Sequence, residues 1–528
     1  MTKTLRSLIL AVLLLLTTEA GAMAAEKILF IPLDNRPITC RETWEAGAKL
    51  GYDMVLPPDE LLGSRDRTGD SEGLWQWLER EAPAARAAVV STDAMLYGSL
   101  VNSRNHDLDE KQILDRVEKF RELHQKFPRL QMYAFGTLLR TLSSPRHSGG
   151  MEPPDYQKYA MQIYDYSVWR DKMDMGVAKG SERRKLKQAE AAIPKAVLNA
   201  WESRHLMNYR ANERLTDLTR DGVFTFFLLG GDDGARYSQT HYEMRHIREY
   251  GADVDTSRFQ ILSGADELAM LMLCRAIHDL RGEIPFVYTA YNVGEGRDIV
   301  PKYTCDTIGN DMMASLHAAG AMPVQDPSRA EMIFAISTDY TGRLVDANEP
   351  VNTVKPRRGT IPFVTMVKEF LQKGYPVAVA DIAYGNGADN ALMEILSKEN
   401  LLFKFKAYGG WNTATNTTGF LIGDGLLGRH MKEADAKERM LIRYLDDWGY
   451  QANVRQTLGG YIQSLPGKGD GAKMNEKREA MNAEGTKLII DFAKKNIALP
   501  GDFPFDFGKI RLTYPWNRLF ECEILHKE

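Results

Sequence analysis

Two adjacent carboxylates stand directly after an apolar run in Phe226-Phe227-Leu228-Leu229-Gly230-Gly231-Asp232-Asp233-Gly234. Successive side chains leaving a strand point to opposite sides, so one acid can face a cleft while the other braces the turn. Paired acids serve general acid–base work or hold a hard divalent cation through oxygen ligands. The same Gly-Asp-Asp-Gly stretch also makes a good Asx-turn and helix cap. A second pair, Asp266-Glu267, follows the run 259–263, where Asp266 can cap a helix and Glu267 can complement its dipole. Asp93, Asp34 and Asp381 stand just after, or close the end of, three further apolar runs. The expectation is that Asp232 or Asp233 is one catalytic carboxylate, and Asp266, Glu267 or Asp93 the other. In glycoside hydrolysis the separation of such a pair decides the stereochemical course, about 6.5–9.5 Å for inversion against about 5–5.5 Å for retention.

Cations and hydrogen-bonding groups occupy equivalent places. Arg36, Arg104 and Arg140 lie beyond three strand ends, and their planar forks suit a carboxylate or other anion on a ligand. Tyr97 precedes Gly98, which permits close backbone approach. Tyr288 and Tyr291 come at and after the end of the seventh run, Asn386 follows Asp381, and Tyr408-Gly409-Gly410-Trp411-Asn412-Thr413 follows the tenth, with Asn416 nearby. Aromatic rings beside amides and hydroxyls suit sugars, which stack on one face and need donors and acceptors around the rim. Trp411 packed under a loop is the plainer alternative. Asp34, Asp93, Asp232 and Asp381 could instead collect Mg²⁺, Mn²⁺ or Ca²⁺, so a divalent cation is the one cofactor the sequence leaves open. There is no HExxH, GxSxG, Walker or dinucleotide fingerprint. The ten histidines do not cluster; His147, His241 and His246 lie nearest the polar strand ends. The four cysteines are far apart without CxxC spacing, which argues against a zinc cluster and leaves disulfides or buried thiols.

These residues must be positioned by the elements before them. Ten short apolar runs, at 28–33, 52–56, 87–91, 131–135, 223–229, 259–263, 285–289, 332–337, 376–380 and 402–407, alternate with helical periodicity such as Ile113, Val117, Phe120 and Leu123. Continuous rather than alternating apolar strands are covered on both faces, and their alternation with helices predicts an α/β fold of parallel sheets with crossover helices. Two doubly wound lobes of five strands each fit better than a (β/α)8-type barrel. The expected division is a first lobe over 26–255 with a charged helical insertion at about 153–220, a second lobe over 256–425, and a helical C-terminal region over 426–528 ending in an aromatic tail, Tyr514-Pro515-Trp516-Asn517-Arg518.

The N-terminus carries an address. Lys3 and Arg6 precede an apolar run at 8–16, and small residues follow at Ala20, Gly21, Ala22, Ala24 and Ala25. That order predicts a cleaved signal peptide over 1–25 and a secreted or periplasmic chain, with no membrane insertion after cleavage. Net charge is −4, from 67 basic and 71 acidic residues spread along the chain, which gives no basic stripe for nucleic acid. The expected partner is a small-molecule or glycan ligand.

Taken in order, the motifs resemble the bacterial family catalogued as domain of unknown function 4127. They are Pro32-Leu33-Asp34-Asn35-Arg36-Pro37, Asp93 with Tyr97-Gly98 and Ser103-Arg104, Asp232-Asp233, Gly264-Ala265-Asp266-Glu267, Asp381 with Asn386-Gly387, and Tyr408 to Thr413. The resemblance spans nearly the whole chain and implies one coherent unit; it transfers no mechanism. From the residues themselves, the expected function is a carboxylate-based exported hydrolase acting on a carbohydrate or cell-envelope glycan. The alternatives are a metal-dependent hydrolase and a non-catalytic binding protein for an anionic solute or sugar.

Overall fold

The computed structural model describes residues 25–144, 149–342 and 345–526. His147 and all but the last residue of the expected signal peptide lie outside them. Among the described residues no helix is long and apolar enough to cross a membrane.

Six strands form the first sheet: β1 (Lys27–Ile31), β2 (Asp53–Val55), β3 (Ala87–Ser91), β4 (Gln131–Leu138), β5 (Phe226–Gly231) and β6 (Phe259–Ser263). Their order is β2-β1-β3-β4-β5-β6, parallel throughout. Five strands form the second: β7 (Phe286–Tyr291), β8 (Met322–Pro323), β9 (Met332–Ser337), β10 (Val377–Asp381) and β11 (Ala407–Gly409). They run β11-β10-β9-β7-β8, again parallel. Counted from its own first strand, each sheet repeats the order 2-1-3-4-5, with β6 added at the edge of the first. β3, β9 and β10 are buried along their whole length, because helices cover both faces. The predicted periodic helix spans Glu110–Lys126 and buries Ile113, Val117, Phe120 and Leu123, closed at its start by an Asp109–Gln112 capping box.

Two open sheets replace the barrel alternative, and their division differs from five and five. The run 259–263 pairs with β5, since the short crossover through helix Gln239–Tyr250 lays it alongside its predecessor. A boundary at 255 therefore cuts β6 from its sheet. β8, only two residues long, leaves no apolar run to read. The run 402–407 contributes a 3-10 turn at Leu402–Lys404 and only its last residue to β11. Helices Pro154–Asp174, Gly180–Ala191 and Lys195–Arg220 fill the insertion between β4 and β5, around a small core of Tyr156, Ile163 and Trp201. The C-terminal region is helical only to Asn496, and then forms the antiparallel pair β12 (Ile510–Thr513) and β13 (Glu523–His526). All four cysteines are buried free thiols.

The lobes share one core. Helix Leu268–Arg281 is buried without interruption from Leu268 to Cys274, the signature of a helix surrounded by apolar partners. It lies over β3, β4 and β5 on one side and against helix Ala414–Gly428 on the other, and that second helix lies over β9, β10 and β11. A single cluster thus runs from Phe30 and Tyr133 through Met270 and Leu273 to Leu426, Phe334 and Ala378. Glycines allow the two helices to approach. A Cβ at Gly419 would stand 2.4 Å from Glu267 Cγ, and one at Gly423 2.3 Å from Met270 Cγ.

Gly423→Ala is expected to destabilise the protein by about 1–3 kcal/mol through overpacking. Gly460→Ala, in helix Arg455–Ser464 where an added Cβ would meet open space, should stabilise by about 0.5–1 kcal/mol through helix propensity. Urea unfolding of both variants checks the contrast; equal and small effects would mean that the helices do not touch there.

Candidate functional site

A cavity of about 460 Å³ lies where the carboxyl ends of both sheets meet, the place where doubly wound sheets bind ligands. The first lobe contributes Asp34 and Arg36 after β1, Asp232 and Asp233 after β5, and Asp266 after β6. The second contributes Asn386 after β10 and Asn412 after β11. The C-terminal region closes the third side with Arg455, Trp516, Arg518 and Phe520.

Arg36 is the tightest node. Its Nε donates to Asp34 Oδ1 and Oδ2 at 2.9 and 3.1 Å, and its Nη2 to Asp34 Oδ2 at 2.8 Å. On the other side Nη1 and Nη2 donate to Asp266 Oδ2 and Oδ1 at 3.0 and 2.7 Å. Asp34 Oδ1 also accepts from the Arg36 backbone N–H at 3.1 Å and from Thr39 Oγ1 at 2.7 Å. Asn412 Nδ2 donates to Asp266 Oδ2 at 3.2 Å, which brings the second lobe into the same network. The guanidinium lies 5.2 Å from the Trp516 ring centre, and the Trp516 indole N–H donates to Asn35 Oδ1 at 2.8 Å. Trp516 therefore holds the C-terminal tail to the loop after β1.

A second group of charges surrounds the acid pair. Arg104 Nη2 donates to Asp232 Oδ2. Arg140 Nε donates to Glu152 Oε1 at 2.8 Å, and its Nη1 to Asp233 Oδ2 at 3.0 Å. Asp232 is buried, whereas the Asp233 side chain is 32% exposed to the cavity. Burial pushes the Asp233 carboxyl above the ordinary range, the neighbouring charge of Asp232 adds to this, and Arg140 and Arg104 oppose it. Asp266 is also raised by burial, against the pull of Arg36.

Backbone strain marks the same place. Eight described non-glycine residues have positive φ, and four of them, Asp233 (40°), Tyr303 (64°), Asn386 (56°) and Asn412 (62°), line the cavity. Asparagine and aspartate tolerate this region, while tyrosine persists there only when its surroundings fix it. Part of the fixing comes from a π-helix at Tyr444–Val454, a rare form that recurs at functional sites. Its Asp447 Oδ2 accepts from Gly410 N at 2.7 Å, and its Asp447 backbone carbonyl accepts from Ala388 N at 2.9 Å, bracing the loops that carry Asn412 and Asn386. Tyr450 Oη donates to the Leu519 carbonyl at 2.6 Å and Gln451 Nε2 to the Phe520 carbonyl at 3.0 Å, which ties in the tail.

Of the residues singled out by sequence, Asp34, Arg36, Arg104, Arg140, Asp232, Asp233, Asp266, Asn386 and Asn412 line this cavity. Thr413, Asn416, Trp516 and Arg518 line it too, whereas Asp93, Glu267, Tyr97, Tyr288, Tyr291, Asp381, Tyr408 and Trp411 lie away from its lining. Asp93 is buried on the short helix after β3, with Oδ2 lacking a hydrogen-bond partner, and burial lifts its carboxyl to about 7. Glu267 is fully buried at a helix start, its Oε2 accepting from Ala265 N at 3.1 Å, and burial pushes it well above the carboxylate range. Tyr97 stacks on His106 at 4.8 Å, Tyr288 packs edge-on against Phe370, and Tyr291 packs against the shared core. Asp381 Oδ2 accepts from Asp389 N at 2.7 Å and from Tyr408 Oη at 3.0 Å, so this pair serves the inside of the second lobe. Trp411 packs between Phe420 and Phe520, the plainer of its two readings. Among the described residues no three acid, histidine or cysteine side chains come together as a metal-ion site. Asp34 and Asp232 reach the cavity while Asp93 and Asp381 do not, so that four-acid cation site is not assembled. His241 pairs with Asp171 and His246 with Asp174 at the insertion. Arg455, Asp346, Asn348, Tyr303 and Phe520 were not legible as site residues, because none directly follows an apolar run. Trp516 and Arg518 stood out only as members of an aromatic tail.

Replacing Arg36 by Met should destabilise the protein by about 3–5 kcal/mol, since two buried carboxylates lose their counter-ion together. Urea unfolding at neutral pH measures it, and a loss within experimental error would show that Asp34 and Asp266 find water instead. A second expectation concerns pH. The folded Asp93 carboxyl titrates at about 7, above its ordinary 3.8. Between those values the folded state holds a proton that the unfolded chain has released. The stability it confers is present below about 4 and is lost as pH rises through 7. Relative to the native protein, Asp93→Asn should therefore gain stability from pH 5 to about pH 8. Parallel unfolding curves at every pH would contradict the shift.

A comparison with curated proteins found no match. The likeness read from the strand-end motifs does hold over the full fold. The chain belongs to the family described as Protein of unknown function (DUF4127), whose model matches residues 28–525 and so includes all three walls of the cavity.

Proposed function

We propose that the protein is an exported hydrolase that cleaves a glycosidic bond in a carbohydrate, with cell-envelope glycans as the expected substrates. The observation that carries this reading is the state of Asp233. Its carboxyl is held by Arg140 through Oδ2, opens onto the cavity, and is raised above the ordinary range by burial and by the adjacent Asp232, against the pull of Arg140 and Arg104. A raised carboxyl open to a ligand cavity is the environment in which a general acid works. In the proposed step, Asp233 gives its proton to the glycosidic oxygen as the bond from that oxygen to the anomeric carbon breaks. A water molecule attacks the anomeric carbon, and its proton passes to Asp232, whose Oδ2 is fixed by Arg104. Asp266 is not assigned this role, because both of its oxygens are engaged by Arg36. The Trp516, Phe520 and Tyr303 rings, with the amides of Asn348, Asn386 and Asn412, supply the stacking and hydrogen bonding a sugar requires.

A second reading, a binding protein for a sugar or anionic solute, is favoured by the mutual saturation of Asp34, Arg36 and Asp266, which makes much of the wall a fixed frame.

Asp233→Asn should reduce turnover of a susceptible envelope glycan by about 10²–10⁴-fold, the contribution of a general acid. It should also remove the alkaline limb of the pH–rate profile. Unchanged turnover in both Asp233→Asn and Asp232→Asn would sink the acid–base proposal, and stoichiometric glycan binding without turnover by the native chain would favour the second reading.

A further inference from the structure

Five arginines line the cavity, and four of them are already neutralised. Arg36 is shared by Asp34 and Asp266, Arg104 pairs with Asp232, Arg140 with Glu152 and Asp233, and Arg518 with Glu521 through Nε and Nη2. This changes the meaning of Arg36, Arg104 and Arg140, which the sequence offered as contacts for a ligand anion: each already pairs with an acid of the protein, Arg104 through Nη2 alone, with its buried Nε left without a hydrogen-bond partner. Arg455 differs. Among the described residues it has no carboxylate within ion-pair distance and no hydrogen-bond partner. Asp346, on the same cavity, and Asp446 act on it only at longer range.

Its position is nonetheless fixed. The guanidinium lies over the Phe520 ring, 5.6 Å from its centre. That ring belongs to the tail segment whose Phe520 and Leu519 carbonyls are tied to Gln451 and Tyr450 of the π-helix, and Arg455 is the residue that follows that helix. Stacking on one face leaves the edge donors of a guanidinium free to take a planar partner. Arg455 is half-buried, and burial pulls its pKa down against the longer-range pull of Tyr450, Asp346 and Asp446.

We propose that Arg455 is the seat for a single carboxylate on the ligand, in two-pronged contact with its guanidinium. Taken with the carbohydrate reading above, on which this half of the inference rests, the substrate class is then an acidic, uronic-acid-type sugar rather than a neutral one. One charge is what the wall accommodates. Arg455 carries one positive charge and so pairs with one carboxylate, and the surplus acid that Arg36 leaves between Asp34 and Asp266 weighs against a second negative charge on the ligand. Guanidinium and carboxylate forks also match in shape, as a tetrahedral phosphate monoester does less well against a single arginine.

Calorimetric titration of the full chain tests this with methyl glucuronoside, methyl glucoside and inorganic phosphate as probes, on the native protein, Arg455→Gln and Arg455→Lys. The native chain should bind the glucuronoside at least tenfold more tightly than the glucoside. Arg455→Gln should lose about ten- to hundredfold for the glucuronoside and little for the glucoside, and Arg455→Lys should fall between, keeping charge without the fork. Equal affinity of the native chain for the two glycosides overturns the proposal even if Arg455→Gln fails to fold. So does a glucuronoside affinity unchanged by Arg455→Gln, or phosphate binding that surpasses the glucuronoside. The two proposals fail separately. Tight, Arg455-dependent glucuronoside binding without hydrolysis of any glycan removes the enzyme reading and leaves the carboxylate seat, whereas hydrolysis of neutral glycans unaffected by Arg455→Gln does the reverse.

Discussion

Arg36 gives up nearly all contact with water, and burial of a lone guanidinium would be prohibitive. Two carboxylates, each offering both oxygens, make the site tolerable only when all three groups hold their geometry at once. Asp34 is set by the turn after β1, Asp266 by the turn after β6, and these strands stand at separated positions of the same sheet. A contact that spans the carboxyl edge in this way fixes the shape of the floor between its ends. Asn412 and Trp516 then dock onto the same node from the second lobe and from the tail. Removing the node would release three segments together, which is why the cavity wall is best regarded as one bonded unit.

Beneath that edge the two sheets are not free to hinge through a thin linker. Helices Leu268–Arg281 and Ala414–Gly428 stack directly between them, with glycines at the contact and one apolar cluster running through both. The close approach has a consequence at the surface: it holds the carboxyl edges of two separately wound sheets near enough for each to supply part of one cavity. Strained backbone at Asp233, Tyr303, Asn386 and Asn412 is concentrated there, and a rigid support is what allows such conformations to persist.

The parts of this arrangement legible in the sequence are those governed by local rules. Fully apolar strands announced parallel sheets, and the residues after β1, β5 and β6 could be named as site acids because ligands gather at carboxyl ends. Burial divided these candidates in ways that spacing could not. Asp233 and Glu267 both follow a strand within a pair of acids, yet one opens onto the cavity and the other is sealed beside Gly419. Trp411 and Trp516 both sit in polar aromatic stretches, and only tertiary packing sends the first into the core and the second against Arg36. Arg455 follows a π-helix, whose register leaves no periodic trace, so no local rule points to it. The membership of β6 depended on a pairing partner and not on its own residues.

The cysteines add a different constraint. Cys40, Cys274, Cys305 and Cys522 are each enclosed by side chains, and none reaches another. Burial pushes the Cys40 thiol up to about 12 and the other three higher still in direction, so the reactive thiolate is scarce at neutral pH. Nothing in the folded architecture draws on covalent cross-links, and its thiols resist forming them. The folded state is held without a disulfide, and its sealed thiols are poor substrates for oxidation.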